Sequence, residues 1–112
     1  MRYPLAAVGL AFAANAALAG VPTLAECAEA SDFIANAARA RDNGIARSAF
    51  LQRLDDDLIV IRAFPVSLRW FAKDVDDERL LRDAAARVFD RPGAPGTHHA
   101  EFFASCLERA IG

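Results

Sequence analysis

The chain has 112 residues, with 13 Lys and Arg against 15 Asp and Glu, for a formal net charge of −2. That length suits one compact domain, and the slightly acidic balance excludes a nonspecific grip on nucleic acid or anionic lipid, which needs a basic surface. Only two cysteines and two histidines are present, so a metal centre has few ligands to draw on.

In chain order, Arg2 supplies one cation ahead of an apolar run from Leu5 to Leu18, interrupted only by Asn15. A membrane-spanning helix needs about 20 apolar residues, so this run is short for an anchor and has the proportions of a secretory signal. Ala17-Leu18-Ala19 supplies the small-x-small cleavage pattern, with Ala14-Asn15-Ala16 as an earlier alternative. Residues 1–19 are therefore expected to be a cleaved signal and residues 20–112 a single helical domain. Val21 stands where a lipoprotein would need a cysteine. The expected product is periplasmic or secreted, without stable membrane insertion after cleavage. In that compartment an even cysteine count favours a Cys27–Cys106 disulfide over a free pair or a metal site.

Thr23-Leu24-Ala25-Glu26 reads as a capping box opening a first helix from Leu24 to about Arg41. Its inner stripe is Leu24, Cys27, Ser31, Ile34 and Ala38, and Asn43-Gly44 supplies a left-handed stop. A second helix begins near Ala46, with Ala46, Ala49, Phe50 and Leu54 inward, and is expected to be broken or re-capped at Asp55-Asp56-Asp57. Leu58-Ile59-Val60-Ile61 suits either a short buried strand or a helix. The stripe from Phe50 through Leu54, Leu58 and Ile61 favours helix, ended by Pro65. Val66–Val75 adds a helical turn or two carrying Leu68 and Phe71. Asp76 or Asp77 is the expected cap of a third helix with the stripe Leu81, Ala84, Ala85 and Val88, stopped at Arg91-Pro92. After the Pro92–Gly96 loop, Thr97 is the expected cap of a last helix, with Phe102, Phe103, Cys106, Leu107 and Ala110 inward. The fold class that follows is all-α: a small bundle of four to five helices, the first and last joined by the disulfide.

Candidate chemistry is sparse. His98 and His99 are adjacent, so on a helix they point about 100° apart and do not converge on a metal. The aspartate clusters lack the glycine and ligand spacing of a calcium loop and suit helix starts. Ser31, Ser48, Ser67 and Ser105 lie in helical stretches with no nucleophile elbow, and no glycine loop cradles phosphate. No catalytic residue, metal or cofactor is expected. Trp70, the only tryptophan, has two readings: an exposed anchor for a partner, flanked by Arg69 and Lys73, or the lid of a small core.

With Cys27, the Arg39–Gly44 stretch RARDNG, the Val88–Pro92 stretch VFDRP and Phe103-x-x-Cys106 in view, the chain resembles a group of exported two-cysteine α-helical proteobacterial proteins. The resemblance implies fold and compartment, and no activity. The functional expectation is a non-enzymatic protein that binds another periplasmic protein, in the manner of an inhibitor or immunity-type protein. The alternative is an acid-stress periplasmic chaperone that opens at low pH to expose Phe50, Phe71 and Phe102.

Overall fold

The computed structural model describes residues 21–111, and the expected signal of residues 1–19 lies outside the described residues. Four helices and no strand occur among them: α1 Leu24–Asp42, α2 Arg47–Ile61, α3 Val75–Asp90 and α4 Pro95–Ile111, with a single 3-10 turn at Val66–Leu68. None is long and apolar enough to cross a membrane.

Helix α1 starts as its sequence dictates. The Thr23 hydroxyl accepts from the Glu26 amide at 3.1 Å, and a Glu26 carboxylate oxygen accepts from the Thr23 amide at 3.0 Å. At the other end Gly44 adopts φ 90°, and the Ile45 and Gly44 amides return to the Ala40 and Arg41 carbonyls at 3.0 Å each. This pair of bonds is the Schellman closure, which needs a residue without a Cβ at the left-handed position. Between the caps, Cys27, Ala30, Ser31, Ile34, Ala35, Ala37 and Ala38 are buried. The alanines let neighbours approach α1 closely, and it packs against each of the other three helices. Leu24, expected inward, is 66% exposed, because it occupies the first helical position, ahead of the packed part of the stripe.

Helix α2 is continuous through Asp55, Asp56 and Asp57 and does not break there. Each aspartate has a helix-surface partner: Asp55 takes Arg82 of α3 at 2.8 and 3.1 Å, Asp56 takes Gln52, and Asp57 faces Arg53. Leu58–Ile61 is helix, as the unbroken stripe implies. The buried line is Leu51, Leu54 and Leu58, so Ala46 and Ala49 face solvent and Phe50 and Ile61 are half-buried.

Helix α3 is capped by Asp74, one turn earlier than Asp77, whose amide it receives at 2.8 Å. It ends at Asp90, because Pro92 holds Arg91 in an extended conformation. Helix α4 begins with Pro95 at its first position, where a missing amide costs nothing, and Thr97 already lies inside it. The Cys27–Cys106 bridge closes a separation of 79 residues between α1 and α4, with both cysteines fully buried.

The two motifs carried by the resemblance meet in space. Arg41 donates to the Val88 carbonyl at 2.8 Å and to the Gly93 carbonyl at 2.7 Å, while its neighbour Asp42 accepts from the same guanidinium. The guanidinium thereby satisfies a carbonyl in the last turn of α3 and one in the following loop. Arg47 grips Asp90 with two bonds, at 2.9 and 3.2 Å. These stretches latch the ends of α1, α2 and α3 together, which is a structural role.

Candidate functional site

The Ser67–Lys73 segment does not present its three expected contact residues on one surface. Trp70 sits at φ 60°, an unusual conformation for a bulky residue, and the chain enters the core immediately after it, at fully buried Phe71 and Ala72. The indole is half-buried and meets Phe33 edge-on at 6.0 Å and Phe71 at 6.3 Å. It belongs to a file of rings that runs from Phe89 through Phe50, Phe33, Trp70 and Phe71 to Phe102, with centroids 5.5–6.3 Å apart. The indole thus covers the core on one side and keeps part of its surface exposed on the other.

Lys73 is 8% exposed. Its ammonium donates to Glu26 and to the Trp70 carbonyl, both at 2.6 Å, which ties the turn to the start of α1. The Lys73 amide donates to Asp77 at 3.0 Å, and Asp77 is paired in turn with Arg109 of α4. Burial pushes the Asp77 carboxyl above its ordinary 3.8, although the Lys73 amide and the Arg109 charge act in the opposite direction. Arg69, like Trp70, is partly exposed. It donates to the Phe64 carbonyl at 2.8 Å and faces the Lys73 carbonyl at 3.4 Å, and pairs with no carboxylate among the described residues.

The feature that sequence reasoning missed lies just upstream. Ile59, Val60, Phe64, Val66 and Leu68 are 47–67% exposed. They are five of the nine exposed large apolar side chains among the described residues, and all fall within ten consecutive positions. The signal was available: Ile59 and Val60 stand off the Leu51–Leu54–Leu58 line, and no acid occurs between Asp57 and Asp74. The backbone beneath is braced, since Ala63, Phe64, Leu68 and Arg69 amides return to the carbonyls of Val60, Ile61, Pro65 and Val66.

The histidines diverge. His98 is buried against Gly93, whereas His99 lies within 3.0 Å of Asp32 and stacks on Phe103. Among the described residues no three His, Cys, Asp or Glu side chains gather in a metal-holding group. Along α2 and α3, Arg82 bonds Asp55 and holds its carboxyl below the ordinary value, and Arg62 takes both oxygens of Glu78 at 3.0 Å. No protein-family model, no curated protein and no solved structure matches the chain.

Proposed function

We propose that this is a small exported, non-enzymatic protein-binding module, inhibitor- or immunity-like, that engages another periplasmic protein through the apolar stretch of residues 59–68. The observation that carries the reading is the concentration of exposed Ile59, Val60, Phe64, Val66 and Leu68 on one braced segment. Clustered exposed apolar side chains mark interaction surfaces, whereas singly scattered ones need no explanation. A segment already held by its own hydrogen bonds loses little freedom on docking. Arg69, which bonds the Phe64 carbonyl, supplies a cation with no carboxylate partner among the described residues next to this stretch. The export reading draws on the Leu5–Leu18 run and on a disulfide, which persists in oxidising compartments.

The test is purification of the tagged protein from periplasm without reductant, followed by mass spectrometry of what accompanies it. The same preparation is made from a Val60→Ser/Leu68→Ser variant, which alters only exposed positions. A partner at stoichiometric amount with the wild type and lost from the variant is the expected result. A partner retained equally by both, or none with either, rejects this surface as the binding site.

A further inference from the structure

Between α1, α3 and α4 lies a cleft of about 300 Å³ that shares no residue with the apolar stretch. Its apolar lining is half-buried Leu80, with Ile34, Ala84 and Phe102 nearly fully buried beneath, none carrying a side-chain donor or acceptor. Its rim is cationic. Arg87 lines the cleft and makes no side-chain hydrogen bond or ion pair among the described residues. Arg91 stands beside it, bonded through one nitrogen to Glu101 at 2.8 Å. His98, 5% exposed, also lines the cleft; its Nε2 is buried beside Gly93 and has no hydrogen-bond partner among the described residues. A buried unpaired nitrogen costs about 1–3 kcal/mol, and native structures keep few of them outside functional sites.

We propose that this cleft binds a short aliphatic carboxylate, with the tail on Ile34, Ala84 and Phe102 and the charged head against Arg87. The cleft joins a small apolar floor to a larger polar and charged rim, and its volume is at the small end of the range for small-molecule pockets. A cationic ligand meets Arg87 and Arg91. A sugar or nucleobase finds no hydrogen bonds on the floor. A metal ion finds one carboxylate, and Arg91 already holds it. Two sources share the favoured chemistry: a free short-chain acid, and the C-terminal carboxylate of a peptide ending in an aliphatic residue.

The experiment is a chemical-shift titration of the oxidised protein with octanoate, with 1-octanol as the uncharged control. Saturable shifts at Ile34, Ala84 and Phe102 are expected, with a Kd on the order of 1 mM and binding of 1-octanol at least about fivefold weaker. Arg87→Gln is expected to weaken octanoate about fivefold and to leave the fold intact, since this side chain pairs with nothing among the described residues. Ser105→Phe, at the exposed rim, is expected to block the cleft. N-acetyl-leucyl-leucine in place of octanoate separates the sources: tighter binding than octanoate assigns the carboxylate to a peptide terminus, and weaker binding assigns it to a free acid. The proposal is overturned if octanoate and 1-octanol bind alike, if neither carboxylate saturates, or if Arg87→Gln binds as the wild type does.

Discussion

Glu26 serves two partners at once. One carboxylate oxygen closes the capping box on the Thr23 amide and the other receives Lys73 across 47 residues of sequence. Glu26→Gln keeps an oxygen for the cap and removes the charge that balances a buried ammonium. It is expected to cost about 2 kcal/mol in urea unfolding, and Glu26→Ala about 1 kcal/mol more through the lost cap. The box was legible because its two residues are three apart and obey a local rule. The Lys73 tie was not, since nothing local marks a lysine for burial. Asp77 is a parallel case: it reads as a cap candidate, but the cap is Asp74, and Asp77 joins Arg109 of α4. Because burial raises its folded pKa above 3.8, the folded state holds this proton more tightly than the unfolded chain does. Its contribution to stability is therefore fully present below the ordinary carboxylate value and lost as pH rises through the raised one. Stability measured against pH is expected to show that acid-side gain in the wild type and not in Asp77→Asn.

At the level of elements, α2 is the least embedded helix. Its buried line is three leucines, whereas α1 buries seven residues and shares the disulfide with α4. Amide exchange is expected to be faster along α2 than from Ala30 to Ala38 and around Cys106. Equal protection in both regions contradicts this order. Helix existence and phase were legible for α1, α3 and α4, where apolar residues recur at spacings of three and four. The limits were in α2, where Asp55–Asp57 look like a stop. There the outcome depends on Arg82, on another helix, which gives Asp55 a partner on a continuous surface. The exposed side of the same helix escaped notice for a related reason: an apolar pair beside an apolar stripe looks like core until the neighbours that would cover it are known to be absent among the described residues.

Across the whole molecule, the bridge from Cys27 to Cys106 ties the first helix to the last. Closing 79 residues removes chain entropy equivalent to about 4–5 kcal/mol at most. The Cys27→Ser/Cys106→Ser double variant is expected to lose most of that amount, read as a lower midpoint in urea, with the wild type matching it only after reduction. The same constraint bears on acid behaviour. Opening at low pH requires charge repulsion to separate α1 from α4, against the covalent bond and against the proton uptake favoured by folded Asp77. The oxidised protein at about pH 3 is expected to keep its near-UV circular dichroism and bind little apolar dye, and loss of both native packing and dye silence there would restore the chaperone alternative.

The bridge also decides how the molecule carries load. Tension applied at the two ends enters α1 near Cys27 and leaves α4 near Cys106, crossing from one to the other through a pair of sulfur atoms. Everything between them, including α2, the exposed apolar stretch and the aromatic file, lies on a slack side-branch of the force path. While the bond is intact, pulling cannot extend the chain between the two cysteines, and load reaches the surface offered to a partner only through side-chain ties such as Glu26–Lys73 and Asp77–Arg109.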